Sequence, residues 1–191
     1  PLVGKYNVLN ALATIAVAAY VGLEMSQIKK SITSFKGVDR RLTHVGTVKE
    51  IEIIDDYAHH PTEIHNVLSG IRESRPSNNL IVVFQPHRFT RIASLRKEFS
   101  AAFSCSDHVT VSEVYSAGEK KPRNFKLNDL IRNIEKKSKT KSSFYINNNS
   151  VLDLIDQFNG KTTIIFLGAG SVTKWAYNFY YLLKRAYEQD C

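Results

Sequence analysis

Long apolar runs and cysteine are both scarce in this chain, and their scarcity excludes several classes of protein. The longest apolar runs, such as Ile164–Leu167, are far shorter than the ~20 residues that a membrane-spanning helix needs. No basic start followed by an apolar stretch and a cleavage site indicates a secretory signal. Cys105 and Cys191 have neither metal nor disulfide spacing, which fits a reducing compartment. We therefore expect a cytoplasmic protein with no membrane partner.

A glycine- and lysine-containing phosphate loop (P-loop) occurs nowhere in the 191 residues, although a chain that handles ATP in the usual way needs one or an equivalent. Excess acidity is absent too, because 26 Lys and Arg residues against 18 Asp and Glu residues give a net charge of +8. The densest basic runs, Lys120–Arg123 and Lys136–Lys141, contain no aromatic residue on which bases could stack. An anionic small substrate explains the charge equally well. We expect no nucleic-acid partner, and a non-catalytic anion- or nucleic-acid-binding module is the alternative.

The first part of the chain predicts two helices that have no sheet of their own to cover. Apolar residues recur at helical spacing over residues 7–20, and a second helical pattern begins at Ser26. Because the chain starts abruptly with these helices, we expect residues 1–36 to be the helical remnant of a preceding domain. Residues 37–191 are expected to form the next domain.

Strand and helix patterns alternate over the rest of the chain, which predicts an α/β fold with a mostly parallel sheet flanked by helices. The predicted strands are Leu42–Val48, Ile51–Asp55, Leu80–Phe84, His108–Val111, Ser143–Ile146 and Thr162–Leu167. The predicted helices are Pro61–Ser74, Ile92–Phe103, Leu127–Lys136, Val151–Phe158 and Val172–Tyr187. Ser150 with Asp153 resembles a capping box before the fourth of these helices, and Asn147–Asn149 is typical of a turn.

The stretch Asp55–Glu63 places two carboxylates, a phenol and two imidazoles on a short strand-to-helix crossing. In open α/β folds such crossings at the carboxyl ends of strands bind ligands, and the helix N-terminus adds partial positive charge. A polar turn with solvated histidines is the structural alternative.

Polar clusters follow two more predicted strands, and a glycine-containing turn follows a third. Gln85–Arg91 brings a histidine and two arginines to the same sheet edge, a combination that binds carboxylate or phosphate, although surface ion pairs would explain the arginines too. Ser112–Glu119 follows the next strand. Gly168–Gly170 resembles half of a dinucleotide fingerprint, but Thr173 stands where the third glycine should be, which favours a tight strand-to-helix turn.

The segments Asn7–Ala13, Gly37–Arg41, Asp55–Glu63, Phe84–Arg91 and Val114–Glu119, taken together and in this order, resemble the Mur ligase family. The resemblance runs over nearly the whole chain. It implies an ATP-dependent, amide-bond-forming ligase of peptidoglycan precursor synthesis that joins L-alanine to UDP-N-acetylmuramate through an acyl phosphate. It also implies that the chain comprises the last helices of a central ATPase domain and the whole Rossmann-like C-terminal domain. The missing N-terminal and central domains would bind most of the ATP and Mg²⁺, so this chain alone is predicted to be inactive.

For the nucleotide, the resemblance implies that Asn10 bonds the adenine, Arg41 reaches the phosphates and Asp56 contacts the ribose. Tyr6 departs from the family, which usually has a histidine there, and could alter adenine packing. No metal ligand is expected in this chain.

For the reaction, the resemblance implies a catalytic group and an overlapping substrate-binding group. The carboxylate of the incoming alanine would be held by His87, Arg88 and Arg91, which would also orient the sugar's lactyl group. Tyr57 and His59 would line the cleft, and Glu119 would help to seat the amino acid. The expected catalytic residues are His59, His87 and Arg88.

Overall fold

The computed structural model describes residues 4–188. Strands and helices alternate after two leading helices. The helices are α1 (Lys5–Tyr20), α2 (Met25–Ser34), α3 (Pro61–Ser74), α4 (Phe89–Ser94), α5 (Arg96–Ala101), α6 (Leu127–Ser138), α7 (Asn148–Ile155) and α8 (Val172–Glu188). The strands are β1 (Thr43–Val48), β2 (Ile51–Asp56), β3 (Asn79–Phe84), β4 (His108–Val111), β5 (Lys141–Phe144) and β6 (Thr162–Leu167).

The six strands form one sheet in the order β1-β2-β6-β3-β4-β5. All neighbours from β2 to β5 are parallel, and only β1 runs antiparallel, to β2. The expectation of a mostly parallel α/β sheet is therefore confirmed.

Both faces of the sheet are covered by helices, so its central strands are apolar on both sides. Ile165 of β6 belongs to the core that includes the buried residues of α3, α5 and α6. Its neighbour Ile164 belongs to the opposite core, with the buried residues of α7 and α8. Two residues in succession thus reach opposite layers, as the two-residue period of a strand requires.

The leading helices contribute little to either core. In α1 no residue is buried, and Ile28 is the buried residue of α2. Val8, Leu9 and Leu12 each expose more than half of their surface.

Three predicted elements differ most from the structure: the helices over Ile92–Phe103 and Val151–Phe158 and the strand over Ser143–Ile146. The helix predicted over Ile92–Phe103 is two helices that meet at Leu95, whose backbone leaves the helical region with φ −114° and ψ 30°. The strand predicted over Ser143–Ile146 lies two residues earlier, because β5 takes its register from β4, with Val111 opposite Phe144.

The expected capping box at Ser150 and Asp153 is wrong. Asn147 is the N-cap of α7: its side chain accepts a hydrogen bond from the Ser150 N–H at 3.1 Å. Ser150 occupies the third helical position, so α7 begins at Asn148 and the asparagine run starts the helix rather than forming a separate turn.

Candidate functional site

The four inner strands end level with one another at one edge of the sheet. Backbone register pairs Asp56 of β2 with Leu167 of β6 and Leu167 with Phe84 of β3. Phe84 in turn pairs with Val111 of β4. The segments that follow these strands therefore leave the sheet side by side, as the strand-end clusters in the sequence predicted.

Asp56 is almost fully buried, with 1% of its surface exposed. Its Oδ1 accepts a hydrogen bond from the Ala58 N–H, and its Oδ2 accepts one from the Leu42 N–H, both at 2.8 Å. Burial raises the pKa of Asp56 to about 6, although both hydrogen bonds and the charge of Arg41 act in the opposite direction. The carboxylate expected to reach a ribose thus fastens the turn after β2 to the segment before β1.

A row of four aromatic rings crosses this edge. The ring of Tyr57 lies 5.2 Å from that of His59, edge to face, and His59 lies 5.7 Å from His87. His87 in turn stacks on Tyr115, with centroids 5.4 Å apart and an interplanar angle of 16°. Residues that follow β2, β3 and β4 thus meet in one row.

His59 is fixed by local hydrogen bonds. Its Nδ1 lies 2.9 Å from the Tyr57 carbonyl oxygen, which can only accept, so Nδ1 carries the proton. Glu63 accepts a hydrogen bond from the His59 N–H at 3.2 Å and lies 3.7 Å from Nδ1. In the neutral imidazole this leaves Nε2 as the acceptor.

His87 and Arg91 each bury a nitrogen atom that makes no hydrogen bond within the described part of the chain: Nδ1 of His87 and Nη1 of Arg91. Burial lowers the pKa of His87, and the charge of Arg91 lowers it further. Buried polar atoms are normally satisfied, so these two nitrogens lack the partner that such atoms usually have.

Arg88 and Glu119 lie beside this pair. Arg88 is exposed and is the N-cap of α4, with a φ of 67°. The Glu119 carboxylate accepts hydrogen bonds from the Thr90 hydroxyl at 2.6 Å and the Thr90 N–H at 3.1 Å. The hydroxyl bond is the largest cause that lowers the pKa of Glu119. This carboxylate therefore holds the start of α4 to the segment after β4.

Two residues of the site edge had no assigned role in the sequence analysis. Arg40 lies over the Tyr57 ring, 4.5 Å from its centroid, and its Nη2 donates to the Gly168 carbonyl at 2.8 Å. Gln85 is buried, and its Oε1 accepts a hydrogen bond from the Val172 N–H at 3.1 Å. Neither contact has a local signal in the sequence, because each joins segments far apart in the chain.

A cavity of about 780 Å³ lies against α1, α2 and the segment before β1. Asn10 and Arg41, both predicted to bind nucleotide, line it together with Tyr6 and Phe35. Burial raises the pKa of Tyr6 to about 12, and the charge of Asp56 adds to the rise. The cavity has the size usual for small-molecule sites, ~300–1,000 Å³.

Between residues 4 and 188, no three His, Cys, Asp or Glu side chains form a group that could hold a metal ion. Nor does any helix in that range combine the length and apolar character needed to cross a membrane.

The fold and the strand-end site define the class of protein. Residues 40–170 match the family model described as "Mur ligase, glutamate ligase domain". The match covers more than half of the chain, and the chain therefore belongs to the Mur ligase family, as its C-terminal domain.

Two curated relatives with the same name show which Mur ligases the chain is similar to. The chain is 40% identical over 176 residues to the UDP-N-acetylmuramate–L-alanine ligase of Pelagibacter ubique, an alignment that covers 92% of this chain and 38% of that ligase. It is 39% identical over 178 residues to the ligase of the same name from Paramagnetospirillum magneticum, covering 93% of this chain and 37% of the relative. The chain thus spans less than two-fifths of the length of these relatives.

Solved structures of Mur ligases have the same fold as this chain. The UDP-N-acetylmuramate-alanine ligase of Thermotoga maritima superposes with a TM-score of 0.77 at 28% identity, over 97% of this chain and 39% of that one. A murein peptide ligase from Psychrobacter arcticus shares the fold, with a TM-score of 0.67 at 22% identity over 96% of this chain and 38% of that one. The predicted family is confirmed.

Proposed function

We propose that this chain is the C-terminal part of an ATP-dependent ligase that joins L-alanine to UDP-N-acetylmuramate through an acyl phosphate. The names and identities of the relatives support this substrate pair. The observation that carries the proposal is the pair of buried, unpartnered nitrogens, His87 Nδ1 and Arg91 Nη1, beside the aromatic row at the carboxyl edge of the sheet. An amino acid offers the carboxylate that this pair requires.

The residues at this edge of the sheet have different proposed roles. Arg88, Arg91 and His87 hold the alanine carboxylate, since guanidinium groups bind carboxylates with charge-assisted hydrogen bonds. His59 in its neutral form has Nε2 as its acceptor, and the Tyr57 ring packs edge to face against it. Glu119 acts mainly by holding the α4 N-terminus, and with it Arg88, in place.

The cavity beside α1 fits the nucleoside of ATP. It offers the Asn10 amide for a base, aromatic surface from Tyr6, and the cationic Arg41 at the phosphate side. Asp56 contributes by holding the backbone of Leu42, next to Arg41, rather than as an open carboxylate. Residues 4–188 contain no group of three or more His, Cys, Asp or Glu side chains that could hold a metal ion.

In this reaction the main task of the chain is to position the reactants. ATP activates the lactyl carboxylate of the sugar, and the alanine amine then attacks the activated carbon and expels phosphate. Holding both reactants in the correct geometry can supply roughly 7–11 kcal/mol of the barrier. The anchored carboxylate leaves the amine of alanine as the free end of the molecule, which is the end that reacts.

The experiment is a chimeric ligase in which this chain replaces the matching 38% of the Pelagibacter ubique ligase. Phosphate release is measured with ATP, Mg²⁺, UDP-N-acetylmuramate and L-alanine. Release that depends on both the sugar nucleotide and alanine supports the proposal. A folded chimera that binds ATP but never responds to alanine refutes it.

The alternative module predicts different behaviour of the unmodified chain. The +8 charge would then give micromolar binding to DNA or RNA that weakens steeply as salt rises. Fluorescence anisotropy with a labelled oligonucleotide at two salt concentrations separates the two functions, and we expect no such binding at physiological salt.

A further inference from the structure

Tyr115 has no role in the function proposed above, yet its backbone is tied to that of His87. The Arg88 N–H donates to the Tyr115 carbonyl at 2.9 Å, and the Tyr115 N–H donates to the Pro86 carbonyl at 2.8 Å. These bonds make an isolated parallel bridge between His87 and Tyr115, beyond the ends of β3 and β4. This backbone bridge therefore holds the two residues side by side.

The side chains continue this pairing. The rings of His87 and Tyr115 are nearly parallel, at 16°, with centroids 5.4 Å apart. Within residues 4–188 the His87 Nδ1 makes no hydrogen bond that could orient the ring from that side. The His87 ring is held by ring packing, with Tyr115 stacked against it and His59 5.7 Å away.

The Gly168–Gly170 turn supports Tyr115 from behind. A Cβ atom added to Gly170 would lie 2.7 Å from Cγ and Cδ2 of the Tyr115 ring, and would also collide with Oε1 of Gln85. Gln85 cannot move away freely, because its Oε1 accepts from the Val172 N–H and its Nε2 donates to the Ser171 hydroxyl, both at 3.1 Å. A side chain at position 170 must therefore push the Tyr115 ring.

We propose that Tyr115 is a positioning residue that sets the orientation of the His87 imidazole, and that Gly170 is glycine because this ring needs the space. The glycine-containing turn is thereby assigned a task other than nucleotide binding. The effect on catalysis rests on the proposed function, in which His87 binds alanine. The claim about ring orientation is independent of that function.

The first test needs no substrate and uses the 191-residue chain. A stacked tyrosine shifts the His87 ring protons by its ring current, which NMR detects. Tyr115→Phe should keep that shift, whereas Tyr115→Ala should abolish it and Gly170→Ala should reduce it. Tyr177→Ala is the matched control, because Tyr177 on α8 is 43% exposed, as against 42% for Tyr115.

The same NMR signals, recorded over a series of pH values, give the pKa of His87. Burial is the largest cause that lowers this pKa, the nearby charges of Arg91, His59 and Arg88 lower it as well, and that of Glu119 raises it. Removing the Tyr115 ring admits water, so the pKa should rise in Tyr115→Ala and stay in Tyr115→Phe and Tyr177→Ala. Unchanged ring-proton shifts and an unchanged pKa in Tyr115→Ala would overturn the proposal, whatever its melting temperature.

The second test uses the chimeric ligase. Tyr115→Ala should raise KM for alanine and lower kcat/KM by about two- to tenfold, the range that an aromatic pair supplies, and Tyr115→Phe should restore it. If Tyr115→Phe were as impaired as Tyr115→Ala, the ring would not be the positioning group. A chimera that is inactive before any substitution would refute the proposed function alone, since the NMR result decides the orientation separately.

Discussion

His87 and Arg91 bring two nitrogens into the protein interior without giving either a hydrogen-bond partner in the described range. An unsatisfied buried polar group costs about 1–3 kcal/mol, which is why we propose that a ligand completes this pair. Arg88, by contrast, is exposed and stands at the first turn of α4. The two arginines therefore approach the same edge from different depths.

Arg91→Ala and Arg88→Ala in the chimeric ligase should raise KM for alanine and lower turnover. A hydrogen bond to a charged group corresponds to about a tenfold to hundredfold loss of kcat/KM. Arg96→Ala, at an exposed position of α5, is the control. If both variants kept unaltered alanine kinetics, the carboxylate assignment would be wrong.

Asp56 predicts an unusual pH dependence of stability. Its folded-state pKa of about 6 lies above the ordinary value of 3.8, so the folded protein binds this proton more tightly than the unfolded chain. The contribution of Asp56 to the free energy of unfolding is therefore most favourable below pH 4 and falls as pH rises to about 6.

Urea unfolding at pH 4, 5, 6 and 7 tests this for the parent chain and for Asp56→Asn, which shares every other titrating group. The difference between their unfolding free energies should shift against the parent chain between pH 4 and 6 and stay level above that range. A difference that is flat with pH, or that moves in the parent's favour, would contradict the burial argument.

Residue types and their spacing allowed the strand-end clusters to be predicted, because carboxylates, imidazoles and guanidiniums directly follow apolar runs. They did not predict the contacts of Arg40 or Gln85. Arg40 bonds a carbonyl 128 positions away, and such a contact depends on which strands become neighbours. The insertion of β6 between β2 and β3 makes that contact possible, and no local pattern specifies it.

At the level of elements, the hydrogen bonds that cap the N-terminus of α3 also fix the turn that carries His59. His60 is the N-cap, with its side chain accepting from the Thr62 N–H, while Glu63 bonds back to the N–H groups of His59 and His60. Pro61 suits the first helical position, where a missing N–H costs nothing. The start of α3 and the turn that carries His59 are thus one local structure.

Glu63→Ala should lower the free energy of unfolding by about 0.5–2 kcal/mol, the usual cost of losing a cap. Glu73→Ala is the matched control, because Glu73 lies near the other end of the same helix and accepts a hydrogen bond from the Ser69 hydroxyl at 3.3 Å. Chemical denaturation of both variants gives the comparison. Equal effects would show that the cap contributes nothing special.

Element types were more predictable than element ends. The helix Pro61–Ser74 and the strands His108–Val111 and Thr162–Leu167 have the predicted bounds because clear caps or buried runs delimit them. The break at Leu95 and the position of β5 depend instead on packing and on register with β4. Such tertiary effects leave no periodic signal.

For the whole molecule, the sheet with its two helical layers has its own buried cores, whereas α1 buries no residue. The proposed ATPase part of the enzyme would cover the apolar face of α1. The cavity beside α1 offers groups for a nucleoside, but the 191 residues contain no P-loop to hold the phosphates. We therefore propose that this chain binds the amino acid and that the phosphate chemistry belongs to other parts of the enzyme.

The most direct test of this division measures phosphate release by the purified 191-residue chain with ATP, Mg²⁺, UDP-N-acetylmuramate and L-alanine, alongside its thermal unfolding. The account predicts cooperative unfolding and no phosphate above background. Alanine-dependent phosphate release by this chain alone would contradict it.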